Sequence, residues 1–290
     1  LQIPLWLQRL LALAGAAAGF ALVLDLLWRR ELDRVSRWAA AALFLAAPLL
    51  YGMGASLRWY PLLVLPVALA TWSAERAGRP TVLSAVGFGL AANISFLAAL
   101  PAIAYCLWRY GIFRRFDPRI DGFFLALTAL LALPAFIAFA AALPHLPAQA
   151  DSNVLVAVGT MALGLSGGYG LGLSQGVIAL PYALLLGMGL VAAMVIVWRK
   201  PLDALLAISL LVGLLCLILT LLGFAKPRSF LFAVPFFLAA AVLGSMRFSW
   251  RRWHLPALSA AAVGVTLAAL WLLSASDRPF KRNLHIDDAP

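Results

Sequence analysis

Long apolar stretches, each separated from the next by a short polar or basic segment, follow one another along almost the whole chain. An α-helix needs about 20 apolar residues to cross the hydrocarbon core of a bilayer. The stretches that approach or reach this length cover residues 10–28, 38–55, 59–74, 121–143, 177–198, 202–222, 229–246 and 255–273. The pattern therefore predicts an all-α fold, a polytopic transmembrane helix bundle with roughly eight spans.

The composition indicates that lipid is the main solvent of this chain. Its 290 residues are 64% hydrophobic and only 11% charged, whereas an average soluble domain is roughly half apolar and a quarter charged. A soluble core of this size has no room for so much apolar surface. The composition thus excludes a cytosolic enzyme, a secreted disulfide scaffold and a disordered chain.

The basic residues fall in five clusters between the apolar stretches, and these clusters hold 15 of the 22 Lys and Arg residues. They are Arg29, Arg30, Arg34 and Arg37; Arg76 and Arg79; Arg109, Arg114, Arg115 and Arg119; Arg199 and Lys200; and Arg247, Arg251 and Arg252. Because Lys and Arg are retained on the cytoplasmic side of a membrane, the clusters predict five cytoplasmic loops. Charge in such loops orients a membrane protein, so we expect no nucleic-acid partner despite the net charge of +11.

Residues 81–108 form an apolar stretch that is too long for one upright span and too short for two. Both flanking basic loops are predicted to be cytoplasmic, so the stretch must enter the bilayer and return as two short helices. The only polar cluster in it, around Asn93 and Ser95, predicts the break. A turn at that depth must pack inside the bundle or line a wet cavity, because lipid leaves its backbone groups unpaired. The alternative is one long tilted helix, which reverses the sidedness of everything after it.

Residues 145–175 form the longest weakly hydrophobic stretch, with Asp151 as its one charge and no Lys or Arg. A loop without basic residues is easily exported, which favours the outer side. Its glycine-rich run at residues 164–173 suits an interfacial or re-entrant loop over a point of lipid access. A simple linker is the alternative.

Asp25 lies near the cytoplasmic end of the first predicted span. An acid inside a membrane is costly and often functional. Arg29, however, follows at i+4, the spacing at which an acid and a base meet on a helix surface. We therefore expect Asp25 to be paired with Arg29 at the interface.

Lys226 and Arg228 stand against the charge rule, in a short turn predicted to lie on the outer side. Two side chains that reach the interface along the lipid are one explanation. The other is an anion site, since Arg presents a planar fork to phosphate and Lys a point charge. Arg58, at the outer start of a predicted helix, is a third cation on that side. The three together predict a phosphate-bearing ligand at the outer leaflet.

The stretch LFLAAPLLYGMGASLRWYPLLVLPVALATWS at residues 43–73 resembles a segment of the GT-C superfamily of membrane glycosyltransferases, such as protein mannosyltransferases and lipid A aminoarabinose transferases. Pro48 matches the family's Ser-Pro-like kink, and Arg58 and Tyr60 match its Glu-Ala-Arg-x-Tyr-like motif. Residues 89–96, GLAANISF, resemble its Gly-Leu-Ala-x-x-Thr-His-Tyr run, and residues 227–235 resemble its late Pro-Arg-Tyr…Pro segment. Paired short helices are also known in that fold.

The chain departs from the family pattern at two of these positions. Ser56 stands where the family often has Glu, and Ser95 where it often has His. The resemblance also implies that the catalytic Asp, in the loop after the family's first helix, lies upstream of Leu1; a variant that never had this base is the alternative. Residues 1–275 are then a partial GT-C module without its first helix and catalytic loop. Residues 276–290 are expected to be an extracytoplasmic tail, either a free end or the start of a further domain.

The resemblance implies transfer of a sugar from a polyprenyl-phosphate donor to a lipid, glycan or protein acceptor on the extracytoplasmic side. Arg58, Lys226 and Arg228 are the expected partners of the lipid phosphate, with Tyr60 as a supporting donor, while Ser56, Asn93 and Ser95 line the cavity. The expected location is the bacterial inner (plasma) membrane, among membrane lipids. No cofactor is predicted, and a divalent metal remains an open question. The alternatives are a transporter or flippase of a lipid-linked substrate and a scaffold subunit.

Overall fold

The computed structural model describes residues 5–30, 32–47, 60–142, 176–199, 203–222, 231–247 and 251–275. Within these ranges the chain is 90% helical and contains no strand. The α-helices are α1 (Leu5–Trp28), α2 (Arg34–Leu45), α3 (Tyr60–Ala77), α4 (Val82–Ile94), α5 (Leu100–Cys106), α6 (Ile120–Ala142), α7 (Leu180–Arg199), α8 (Ala204–Leu221), α9 (Val234–Arg247) and α10 (Arg251–Ala275). A 3-10 turn, Phe96–Ala99, joins α4 to α5, and a π-helical turn, Leu107–Ile112, continues α5.

Five helices are long and apolar enough to cross a membrane. Their candidate spans are Leu10–Trp28, Ile120–Ala141, Val177–Trp198, Ala204–Leu221 and Arg252–Leu272. They make the chain a helical bundle suited to a multi-pass membrane protein. The other expected spans fall on α2, α3 and α9, whose described parts are shorter or less apolar. The full count of eight stays a prediction.

Glycines allow several helices to approach closely. A Cβ added to Gly19 of α1 lies 2.9 Å from the Val64 carbonyl oxygen of α3, and one added to Gly87 of α4 lies 2.7 Å from the Pro66 oxygen. Small residues give helices in lipid the close contact that hydrophobicity alone does not supply. These contacts place α1, α3 and α4 side by side.

The centre of the bundle is α9, which packs against α1, α2, α7, α8 and α10. Its side chains are buried on every face from Val234 to Ser245, including the fully enclosed Phe236. At Gly244, any Cβ collides with the backbone oxygen of Gly189 on α7. The short helix is thus held by neighbours all around it.

The predicted pair of short helices is confirmed in residues 82–112. Helix α4 ends at Ile94, and Ser95 takes an extended conformation with φ −150° and ψ 126°. The chain then turns back, because the Tyr105 ring lies 6.0 Å from that of Phe88 and 5.7 Å from that of Phe124. One long tilted helix is therefore wrong for this stretch: the polar cluster ends α4 within the bundle.

The described residues of the basic clusters lie together at one end of the bundle, called here the basic end. Arg30, after α1, contacts both Glu75 near the end of α3 and Asp203 before α8. The α4–α5 pair returns to the start of α6, where Arg109 meets Asp121. Hence the described basic residues, apart from Arg9 in α1, are at the basic end. The other end is called the opposite end.

Helices α2 and α10 run parallel and in register. The Ser259 hydroxyl donates to the Ala39 carbonyl at 2.6 Å, and the Thr266 hydroxyl donates to the Ala46 carbonyl at 2.6 Å, both with a sequence separation of 220. Since both helices begin in basic segments, this pairing brings the last basic cluster to the basic end.

Candidate functional site

The opposite end holds the described part of the site expected from the sequence. Tyr60 is the first residue of α3, whereas Asn93 and Ser95 lie at the end of α4. Gly87 of α4 faces Pro66 and Ala70 of α3, and Ser73 contacts Thr81, so the two helices are antiparallel. From that crossing, Tyr60 and Ser95 are each roughly 12 Å further along, at 1.5 Å per residue. The three residues therefore share one depth at the opposite end.

The break between α4 and α5 keeps the backbone groups of Ser95 paired and the residue itself buried. The Ser95 N–H donates to the Ala91 carbonyl at 3.0 Å, and the Ser95 carbonyl accepts from the Ala98 N–H at 2.9 Å. Phe96 then stacks on Phe139 of α6 with ring centroids 4.2 Å apart. These contacts satisfy both backbone groups of Ser95, where an unpaired group would be costly at membrane depth.

The two polar side chains of the break face different surroundings. Asn93 is exposed, while Ser95 is 8% exposed. Asn93 is therefore available to whatever fills the space beside the break, and Ser95 is largely enclosed. Both were expected as cavity-lining residues, and that role stays a prediction.

The remaining residues of the expected site lie outside the described ranges. They are Ser56, Arg58, Lys226 and Arg228, and the same holds for the long loop at residues 145–175 and the tail at 276–290. For Tyr60 the structure gives the backbone position only. The structure thus brings together Tyr60, Asn93 and Ser95 in depth, and the three-cation site remains a prediction.

A second polar cluster, not foreseen from the sequence, joins three helices at the basic end. One terminal nitrogen of Arg30 donates to Glu75 Oε2 at 3.0 Å and to Asp203 Oδ1 at 3.2 Å. The same Asp203 carboxylate accepts from the Leu206 N–H at 3.2 Å and so caps α8. An Asp just before an apolar helix is a signal for a cap, but it does not reveal a partner in a distant loop.

The expected pair of Asp25 and Arg29 is confirmed, with Arg29 Nε donating to Asp25 Oδ2 at 2.9 Å. Trp72 Nε1 of α3 also donates to this carboxylate oxygen at 2.8 Å. The Arg76 guanidinium lies 4.9 Å from the centre of the Trp72 ring. Asp25 is therefore held by an interface network and serves to join α1 to α3.

The most deeply buried ion pair, Arg109 with Asp121, closes the return of the short pair. Arg109 Nε donates to Asp121 Oδ1 at 2.8 Å, and a terminal nitrogen donates to Oδ2 at 3.3 Å. The Tyr110 hydroxyl and the Asp117 N–H also donate to this fully buried carboxylate. From the sequence alone, Arg109 is expected only as a loop cation. The π-helical turn that brings Arg109 to Asp121 cannot be predicted from the hydrophobic pattern.

Each of these polar clusters at the basic end joins an arginine to one or two carboxylates, and the clusters fasten helices to one another. In the described ranges, no group of three or more His, Cys, Asp or Glu is arranged to hold a metal ion.

The chain matches no protein-family model, no curated protein and no solved structure.

Proposed function

We propose that this protein is a GT-C-like membrane glycosyltransferase that moves a sugar from a polyprenyl-phosphate donor to an acceptor on the extracytoplasmic side. The observation that carries the proposal is the segregation of charge. Described basic residues other than Arg9 gather at the basic end, whereas Arg58, Lys226 and Arg228 stand in the sequence between helices whose described ends lie at the opposite end. Cations on the outer side of a membrane are well suited to hold a phosphate there, since Arg presents a planar fork and Lys a point charge.

Chain connectivity supports this arrangement of the three cations. Arg58 precedes the first residue of α3 by two positions. Helix α8 begins at the basic end, where Asp203 meets Arg30, so its last residue, Leu221, lies toward the opposite end. Lys226 and Arg228 follow within seven residues. The helix ends next to both segments, the start of α3 and the end of α8, are therefore at the opposite end, where the α4–α5 break also lies.

In the proposed reaction the acceptor attacks the sugar carbon, and the bond from that carbon to the lipid phosphate oxygen breaks. The departing phosphate gains negative charge as this happens. Arg58, Lys226 and Arg228 stabilise that charge, and the Tyr60 hydroxyl donates a supporting hydrogen bond. Fixed donors aimed at developing charge contribute several kcal/mol when water is excluded. A carboxylate takes the acceptor proton, and we assign that role to no residue of this chain.

The decisive experiment measures binding of a polyprenyl phosphate to the full-length protein in lipid nanodiscs. Arg228→Ala is expected to weaken binding about tenfold or more, because a hydrogen bond to a charged group contributes about 1.5–3 kcal/mol. Arg79→Ala, which removes an exposed arginine from the basic end, is the matched control and should bind as the parent does. Unchanged binding by Arg228→Ala contradicts the phosphate role.

A transfer assay then separates the enzyme from a transporter. With a radiolabelled lipid-linked sugar and a mixture of acceptors, Arg228→Ala should reduce transfer about 100-fold, by analogy with the loss of one oxyanion donor. Movement of the intact donor across the bilayer without transfer contradicts the enzyme and supports a flippase.

A further inference from the structure

One arginine serves two carboxylates where α1, α3 and α8 meet, and the three residues are called here the shared-arginine cluster. A single terminal nitrogen of Arg30 donates to both Glu75 and Asp203, and no other described cation forms an ion pair with either acid. The side chains of the two acids are only 9% and 17% exposed, so salt and water screen their charges weakly. With both acids ionised, the cluster therefore carries one negative charge that is not balanced.

The Arg109–Asp121 pair shows how the same protein balances a buried carboxylate. Asp121 has one arginine to itself and also accepts from the Tyr110 hydroxyl and the Asp117 N–H. Hydrogen bonds and an opposite charge of this kind favour the ionised form of an acid. The Glu75 carboxylate, in contrast, accepts from no described donor except the nitrogen that it shares. The two clusters should therefore respond differently to a change of pH.

Of the two acids in the shared-arginine cluster, Glu75 gains a proton more easily. The Asp203 carboxylate also accepts from the Leu206 N–H at the start of α8, where the helix dipole favours a negative charge. Glu75 has no such support, and it follows the predicted span 59–74 by one position. The pKa of its carboxyl group is raised above the ordinary value, first by burial and then by the charge of Asp203, although Arg30 acts in the opposite direction.

The helices packed against α3 bring few other charges to Glu75. Helix α4 contains no titratable side chain. Helix α5 places Tyr105 close enough for its charge to interact with that of Glu75, but a phenol is neutral near pH 7. On α1, Asp25 and Arg29 bond to each other. The titratable residues of neighbouring segments that lie outside the described ranges are Glu31 and Lys200.

We propose that the shared-arginine cluster is a pH-sensitive joint, in which Glu75 takes up one proton as the pH falls. Arg30 then balances the charge of Asp203, while the carbonyl oxygen of the protonated Glu75 still accepts a hydrogen bond. The neutral joint holds α1, α3 and α8 together more firmly than the charged one, because two carboxylates no longer repel each other. The inference does not depend on the proposed sugar transfer, which concerns the opposite end.

The sign of the pH effect follows from linkage. The folded protein binds the proton on Glu75 more tightly than the unfolded chain does, because the pKa of this group is raised by folding. The stability that this group contributes is therefore fully present at low pH and is lost as the pH rises through the pKa of the folded state.

The test measures the SDS fraction that unfolds the full-length protein in mixed micelles, from mildly acid to mildly alkaline pH. Glu75→Gln keeps the shape of the side chain and removes its charge. This variant should match the parent at acid pH and resist more SDS than the parent at alkaline pH. The difference between the two proteins is compared because other groups titrate as well. A difference that does not change with pH overturns the proposal.

Substitution of the two partners should move the midpoint of this pH dependence in opposite directions. Asp203→Asn removes the competing negative charge and should shift the midpoint to lower pH, whereas Arg30→Gln removes the cation and should shift it to higher pH. Shifts in the same direction overturn the proposal. As a matched control, Asp33→Asn removes an exposed acid of the basic end that makes no capping hydrogen bond. It should leave the midpoint unchanged, and a shift equal to that of Asp203→Asn overturns the assigned location.

Infrared difference spectroscopy follows the proton itself and keeps the proposal testable if Arg30→Gln does not fold. Mild acidification of the folded parent protein should produce the absorption band of a protonated carboxyl group. The band should be missing from Glu75→Gln and present in Asp33→Asn. Absence of the band from the parent protein, or its persistence in Glu75→Gln, overturns the proposal.

Discussion

Helices α6 and α9 are both almost entirely apolar, yet they occupy opposite situations in the bundle. In α9, buried side chains occur on every face, and Phe236 is completely enclosed. In α6, only 11% of the candidate span is buried, and Leu130 and Ile137 are 66% and 61% exposed. Hydrophobicity does not separate a central helix from a peripheral one when lipid is the solvent. The number of neighbouring helices does separate them: α9 packs against five helices, and Gly244 lets it lie against the backbone of α7.

The two helices are also held in different ways. Helix α9 is stabilised by contacts along its whole length, whereas α6 packs mainly on α4 and the turn after it. At its start α6 is fastened by Asp121, and near its end by the Phe96–Phe139 stack. A peripheral helix therefore depends on a few specific bonds, and a central helix on many ordinary contacts.

The largest effect is expected at the fastening of α6. Asp121→Asn leaves the Arg109 charge buried without its counter-charge, which costs about 3–5 kcal/mol of unfolding free energy. Asp25→Asn, which breaks a pair whose side chains are 40–47% exposed, should cost less than about 1 kcal/mol. Unfolding in mixed micelles with increasing SDS measures both. Similar losses in the two variants contradict the idea that α6 depends on its buried pair.

A smaller effect, of opposite sign in the two helices, is expected from Gly→Ala substitutions. Gly244→Ala forces α9 away from the α7 backbone and should cost about 1–3 kcal/mol. Gly122→Ala of α6 meets nothing within 4 Å and should stabilise by up to about 1 kcal/mol through helix propensity. Thermal unfolding in one detergent compares them. Destabilisation by Gly122→Ala contradicts the free surface assigned to that residue.

The smallest difference is expected from removal of a phenyl ring. Phe236→Ala opens a cavity in α9, and its cost comes mainly from lost packing, roughly 2 kcal/mol, because lipid solvates an exposed ring as well as protein does. Phe136→Ala of α6, where the ring is 46% exposed, should change stability by less than about 0.5 kcal/mol. Equal losses indicate that a further segment or partner covers α6.

Several features follow from the sequence because they rest on local or one-dimensional constraints. The break at Ser95 is fixed by a stretch of limited length between two basic loops with one polar cluster. The Asp25–Arg29 pair is fixed by its i+4 spacing. The sequence alone predicts that Tyr60 and Asn93 lie at helix ends. It does not predict their equal depth, because that depends on how α3 and α4 cross.

Other features depend on packing that no local pattern encodes. Arg30 bonds to residues 45 and 173 positions away, and Arg109 reaches Asp121 through a π-helical turn. The central position of α9 was hidden because every helix of the bundle is apolar. The lateral arrangement of the expected phosphate site depends on the same kind of packing.

The hydrogen bonds from α10 to α2 join residues that are 220 positions apart in the chain. At about 5–20 residues per second of synthesis, α2 emerges from the ribosome roughly 10–40 seconds before the helix that completes its contacts. During that interval the Ala39 and Ala46 carbonyls lack the Ser259 and Thr266 hydroxyls that donate to them in the folded protein. The contact between α2 and α10 therefore forms only after α10 has been synthesised, when the last described helix packs against one of the first.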